Sequence, residues 1–281
     1  MHDLVTITVN YRMAASVVTM LRSLYRDVAG SGLTVQPVVV DNASGDGIAE
    51  TIAREFRDMH PTPIVIAASG NGGFGSGNNI ALRQYDARYY FLINPDVVFL
   101  AEQPQVTKRL YDFLEANEAI GMVAPQLQLP NGSMQRSCMR FPSFFDQPIH
   151  RLGLHQRYRW ALRRVDRIHM EDVDHTKTRP IDWAVSAAMV IRGSALREVG
   201  GFDERYFMYF EDCDLCRMFW SRGWPVYYKG DVVVEHGHGR SSARVPGLKS
   251  LVVNPLTRSH LTSLVRYQVK WGWRSLRRSH R

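Results

Sequence analysis

Apolar runs without polar alternation recur along the first hundred residues, at 4–9 (LVTITV), 35–40 (VQPVVV), 63–68 (PIVIAA) and 89–93 (YYFLI). Each predicts a strand buried on both faces. Between them apolar residues fall at helical spacing. Val17, Val18, Leu21, Leu24 and Val28 predict a helix over 14–28, and similar patterns predict helices over 46–58 and 76–86. Such alternation predicts an α/β fold with a mostly parallel central sheet covered by helices on both faces. In these sheets ligands sit beyond the carboxyl ends of the strands. The residues there are Asn10-Tyr11, Asp41-Asn42, Ser69 to Gly75, and Asn94-Pro95-Asp96, all polar or glycine-rich.

The pattern then changes. A helix is expected over 102–117 and a strand over 121–129, whereas 131–180 reads as irregular, basic and aromatic. Residues 181–193 (IDWAVSAAMVIRG) read as one strand, followed by a short helix, a Gly-Gly turn and a helix over about 211–222. The stretch PVYYKGDVVVEHGHG returns as strands. The expected organisation is a nucleotide-binding half (1–100), an acceptor-binding and catalytic half of the same domain (101–255), and a basic amphipathic C-terminal helix (256–281). On that helix Leu261, Leu264, Val265 and Trp271 are placed to meet lipid, with Arg258, Arg266, Lys270, Arg274, Arg277 and Arg278 toward anionic headgroups. The rival expectation is a helix docked on the protein with a solvated tail.

Composition narrows the classes. With 45% apolar and 22% charged residues, the 281-residue chain suits a globular protein with a substantial core. No apolar run is long enough to span a bilayer, and MHDLVTITVNYR carries no secretory signal. A cytoplasmic protein, peripheral on the inner face of the plasma membrane, is therefore expected. Three cysteines cannot build a disulfide framework, and Cys213 and Cys216 read as two thiols on one helix. The net charge of +8 points to an anionic partner, with much of the excess near the C-terminus and no nucleic-acid-binding motif.

The strand-end motifs carry the chemistry. Gly70, Gly72 and Gly75 spell G-x-G-x-x-G. That pattern suits a dinucleotide fingerprint, a capped turn, or a loop whose backbone N–H groups and Asn71 side chain approach a sugar nucleotide. The fingerprint normally opens the first βαβ unit, and here it follows the third strand. Asp41 can accept the imide N–H of uracil or thymine, or simply close an Asx turn. Asp96 can hold a hard divalent cation, Mg²⁺ or Mn²⁺, and through it a diphosphate. Among Glu211, Asp212 and Asp214, helical spacing puts 211 and 214 on one face and 212 on another. Neighbouring aromatic rings should raise their pKa values, which suits a general base. His236, at a strand end, is a candidate metal ligand.

The ordered set VNY, VVDNAS, NGGFGSGNN, LINPDV, GGFDERYFMYFEDCDL and the later EH resembles glycosyltransferase family 2, over roughly residues 3–240. It is most similar to bacterial rhamnosyltransferases of O-antigen and cell-wall polysaccharide assembly. The resemblance implies a GT-A fold, Rossmann-like, with a C-terminal acceptor-binding part. It implies inverting transfer from a dTDP- or UDP-sugar, dTDP-rhamnose above all, to a glycan or polyprenyl-linked acceptor. By position it implies that Asp41 reads the base, Asn10, Tyr11 and Asn42 line the nucleotide pocket, and Phe74, Gly75 and Asn78 contact the donor. Asp212 matches the base, with Glu211 beside it. Asp96 matches the last acid of a D-x-D motif, His236 a metal ligand, and Trp183 an acceptor platform. Asn94 replaces the first D-x-D acid, and Ser186 stands where relatives carry Gly. The rival functions are an NAD-dependent oxidoreductase using the Gly70–Gly75 loop and an inactive nucleotide- or glycan-binding module.

Overall fold

The computed structural model describes residues 2–146, 149, 152–237 and 255–272. The first half follows the βα alternation: β1 (His2–Asn10), α1 (Ala14–Val28), β2 (Val35–Asp41), α2 (Ile48–Glu55), β3 (Ile64–Ala67), α3 (Phe74–Gln84) and β4 (Ala87–Ile93). Next come β5 (Val97–Val98), α4 (Val106–Glu115), β6 (Met122–Gln128), β7 (Cys138–Met139), α5 (Leu154–Arg157) and α6 (Arg159–Ile168). The remainder holds β8 (Arg179–Ile181), β9 (Trp183–Ala184), β10 (Ala188–Arg192), α7 (Gly193–Val199), α8 (Glu211–Ser221), β11 (Val226–His236) and α9 (Pro255–Trp271).

The central sheet runs β3-β2-β1-β4-β10-β6-β11-β5, with β8 also on β11. Neighbours are parallel among β3, β2, β1 and β4, and β6 is parallel to β11, while β10 runs antiparallel between β4 and β6. This is the expected mostly parallel α/β architecture. Alternate residues of each strand fill two cores, as the pleat dictates. Val38, Leu92 and Met189 join the core under α3 and α8. Val39, Phe91 and Val190 join the opposite core, under α1 and α4.

Three expectations are corrected. The 131–180 stretch contains α6, a ten-residue helix disguised by its arginines, which leave few apolar positions to mark a period. The single strand expected over 181–193 is broken into β8, β9 and β10. Its middle is diverted because Val185 N–H bonds Ser137 O and Ala187 O accepts Asn94 N–H. The C-terminal helix does not offer its apolar stripe to lipid. Leu264 and Tyr267 are buried in the core, and Trp271 packs against it. Lys270 pairs with Asp203 and Asp214. Arg258, Val265, Arg266 and Val269 form the outward side, whereas Arg274, Arg277 and Arg278 lie outside the described residues.

Candidate active site

The floor of the site is a polar knot at the ends of β1 and β2. Asn10 is fully buried, and its amide nitrogen donates to Asp41 Oδ1 and Ser44 Oγ, each at 3.0 Å, and to both oxygens of Asp46 at 3.1 Å. Ser44 Oγ–H also bonds the Asp41 carboxylate. Asp46 in turn accepts Ala14 N–H at the start of α1. Burial pushes the Asp46 carboxyl up, but donors from Ser44, Asn10 and Ala14 outweigh it and hold the group below its usual range. Asn10, expected to line a nucleotide pocket, is buried as a clamp on Asp41, Ser44 and Asp46. Tyr11, 42% exposed, stands free of the knot with the Arg12 guanidinium over its ring.

The glycine run serves close packing. A Cβ at Gly73, where φ is +91°, would lie 1.9 Å from Phe207 O. At Gly75 it would meet Phe202 Cβ at 3.0 Å, and at Gly77 it would meet Val9 Cγ1 at 2.7 Å. These glycines let α3 lie against β1 and against the GGFDE segment, with Gly75 packed on Phe202. The loop follows β3, whereas a dinucleotide fingerprint opens the first βα turn, which weighs against the NAD reading. Asn42 donates to Gly73 O at 3.0 Å, and Asn78 to Phe74 O at 2.9 Å. Both asparagines are buried, whereas Asn71 is exposed and Phe74 and Asp41 are half-exposed.

Asn79, absent from the sequence-derived set, couples the two halves. Its Nδ2 donates to Phe202 O and Glu204 Oε1, and its Oδ1 accepts Phe202 N–H, all at 2.9 Å. Only its place in an Asn-Asn pair hinted at a role.

At the end of β4, Asp96 lies opposite His236, with Oδ1 to Nε2 at 3.3 Å. Gly237 N–H donates to Asp96 O at 2.9 Å, fixing the two segments. His236 Nδ1 is held by Gln135 Oε1 at 2.8 Å, which leaves Nε2 aimed at the carboxylate. In the tautomer that donates from Nδ1 to Gln135, Nε2 presents a lone pair toward Asp96. Two electron-pair donors facing one another, one oriented from behind, suit a divalent cation. On the same turn, Asn94 Oδ1 is buried with no hydrogen-bond partner among the described residues. Among those residues no cluster of three or more His, Cys, Asp or Glu exists, so further ligands would be water or substrate oxygens. His238, two residues beyond His236, lies outside the described residues.

The acidic helix α8 opens after two strained residues, Tyr209 (φ 70°) and Phe210 (φ 67°). Left-handed conformations cost non-glycine residues of order 1 kcal/mol or more and persist only when surroundings enforce them. Here α9 does so. Ser259 and Ser263 hydroxyls donate to Met208 O at 3.2 and 3.0 Å, and the His260 ring packs on those of Tyr209 and Phe210.

The three acids separate by environment. Asp214 is fully buried between Lys270 Nζ at 2.7 Å and Trp271 Nε1 at 2.6 Å. Glu211 is buried too, and desolvation together with the nearby Asp212 charge drives its carboxyl well above the usual range. Asp212 alone is half-exposed. Burial pushes it up to about 6, against the lowering effect of backbone N–H donors at Cys213 and Ser186. Ser186, expected at the acceptor, therefore acts on Asp212 through its backbone. Trp183 donates from Nε1 to Arg140 O at 3.0 Å and lies half-buried on β9. Cys213 and Cys216 are buried free thiols of α8.

A sequence model described as "Glycosyltransferase like family 2" matches residues 3–251. An N-acetylglucosaminyl-diphospho-decaprenol L-rhamnosyltransferase of Mycobacterium tuberculosis is 29% identical over 224 residues, 75% of this chain and 69% of that protein. Rhamnosyltransferase WbbL of Escherichia coli K12 is 27% identical over 182 residues, 60% of this chain and 62% of WbbL. Among solved structures, a mannosyltransferase from Pyrobaculum calidifontis in complex with GDP-Man and Mn²⁺ is similar with a TM-score of 0.58 at 15% identity, covering 96% of this chain and 76% of that one. S. aureus TarS 1–349 in complex with UDP-GlcNAc is similar with a TM-score of 0.54 at 16% identity. The chain covers 86% of itself in that match and spans 62% of the TarS fragment. The shared fold is GT-A.

Proposed function

The chain belongs to glycosyltransferase family 2, and from that premise we propose that it catalyses inverting transfer of L-rhamnose from dTDP-rhamnose to a lipid-linked or growing glycan in surface polysaccharide assembly. One observation carries the mechanism. Two consecutive residues, Ser186 and Ala187, hold the two chemical centres. The Ser186 N–H lowers the Asp212 carboxyl, and Ala187 O accepts Asn94 N–H at 2.7 Å. Adjacent Cα atoms stand about 3.8 Å apart, which supports assigning the carboxylate and the Asn-Pro-Asp turn to one site.

Inverting transfer needs a base on the acceptor hydroxyl, on the face of the sugar opposite the leaving diphosphate. Asp212 is half-exposed, ionised at neutral pH and basic enough to take that proton. Asp96 and His236 would hold Mg²⁺ or Mn²⁺ on the other side. Bound there, the cation supplies positive charge to the leaving diphosphate. Asp41 stands at the rim to accept a pyrimidine imide N–H, and Tyr11 offers an exposed ring for stacking on the base. The rhamnose donor and lipid-linked acceptor take their support from the names of the mycobacterial and E. coli relatives.

A donor screen that follows nucleoside diphosphate release tests the reading. dTDP-rhamnose with Mg²⁺ or Mn²⁺ is expected to turn over, with UDP-GlcNAc and GDP-mannose inactive. Tight dTDP binding without release in any combination would establish the inactive module instead. Calorimetry adds the base: GDP binding as tightly as dTDP would remove the role given to Asp41.

A further inference from the structure

On α6, Arg159, Arg163 and Arg167 follow helical spacing and form one exposed ridge, flanked by Trp160 and Leu162. The opposite face buries Ala161 and Val165 over Ile149. Trp160 is 57% exposed, Leu162 44% and Tyr158 43%. Tyr158 stacks on Trp160 with centroids 6.3 Å apart, and the Arg157 guanidinium lies over the Tyr158 ring. The nearby acids offset this charge only at the end of the ridge. Asp146 is buried and bonded to Arg164, Asp166 is half-buried, and Asp172, paired with Arg140, faces Arg167 alone of the ridge. An ordinary solvated basic face would not hold three large apolar side chains in water beside four arginines.

We propose that α5 and α6 form an interfacial docking surface for an anionic lipid bilayer. The aromatic rings and Leu162 enter the headgroup–acyl boundary, and the arginines meet lipid phosphates. The placement fits the chemistry. Arg140 N–H donates to Ile168 O at the end of α6, and Arg140 O accepts the Trp183 indole N–H. The surface thus adjoins the acceptor side of the cleft, where a membrane-embedded polyprenyl diphosphate would enter. That last link rests on the lipid-linked acceptor proposed above. The outward side of α9, with Val265 and Val269, is a smaller apolar feature and is not required.

Flotation of the intact protein with phosphatidylcholine vesicles, with and without phosphatidylglycerol, tests the surface. The protein is expected to float with the anionic vesicles only. Arg159→Glu/Arg163→Glu and Trp160→Ser/Leu162→Ser should each reduce partitioning by about tenfold or more, since one basic residue near an anionic surface is worth roughly fivefold. Arg159→Lys/Arg163→Lys should retain it. No flotation of the wild-type protein would overturn the proposal. So would unchanged flotation of both double variants, which would place the binding elsewhere on the chain. The assay uses neither donor nor acceptor, so its failure leaves the transferase reading standing. Intact flotation with no turnover would strike only that reading.

Discussion

Lys270, in the last turn of α9, stands 2.7 Å from Asp214, two residues beyond Asp212 in the helix that carries the proposed base. It also reaches Asp203 of the GGFDE segment at 2.9 Å. Asp214 is fully buried, so this ammonium compensates a charge that has no access to water. The C-terminal helix is thereby part of the scaffold that holds α8.

Replacing Lys270 with Met keeps the length and removes the charge. Breaking a buried pair from one side costs about 3 kcal/mol. Thermal unfolding should fall by roughly 6–12 °C for a chain of this size. Turnover should fall with it, because α9 also holds the strained residues before Asp212. An unchanged melting temperature would show that the pair contributes nothing.

Gly73→Ala tests whether the glycine run is a packing device. Its φ of +91° and the 1.9 Å approach to Phe207 O leave no room for a Cβ. Strain and overpacking together should cost about 3 kcal/mol and separate α3 from the GGFDE segment. Gly70→Ala, whose Cβ would meet nothing within 4 Å, should be near neutral. Equal effects in urea unfolding would contradict the assignment.

These residues also show what a sequence reveals. The βα alternation, the strand ends and the distinct position of Asp212 among three acids follow from periodicity, which is local. Asn79 and Gln135 depend on partners more than a hundred residues away, and no local pattern encodes them. The fate of α9 was equally hidden. An apolar stripe with basic neighbours fits a bilayer or a protein face alike, and only the buried Asp214 decides which. The Arg-rich α6 was masked for the opposite reason, its few inward positions being too sparse to set a period.

Metal dependence should follow the Asp96–His236 pair. Chelation is expected to abolish turnover, and Mn²⁺ or Mg²⁺ to restore it. Asp96→Ala and His236→Ala should both impair Mn²⁺-supported activity. Gln135→Leu, which frees the imidazole to rotate, should weaken Mn²⁺ affinity by about 10–100-fold. Full activity of wild-type enzyme in chelator would remove the metal from the account.

The pH profile reports the base. Asp212 lies at about 6, above the ordinary value of 3.8, and must be ionised to accept a proton. Its ionised fraction falls about tenfold per pH unit below that value, so kcat/KM should rise with unit slope to about pH 6 and then level. A profile already flat from pH 4.5 would indicate a base with an unshifted carboxyl.

Turnover of Asp212→Asn, measured as dTDP release from dTDP-rhamnose with acceptor present, addresses the central claim most directly. The substitution keeps the shape and removes the basicity. General-base catalysis is worth on the order of 10²–10⁴-fold, so turnover should fall by at least about a hundredfold. Donor binding should be nearly unchanged, because the proposed mechanism puts the diphosphate beside Asp96 and not Asp212. An Asp212→Asn enzyme that retains most of its turnover would contradict the mechanism, and loss confined to Glu211→Gln would move the base by one residue.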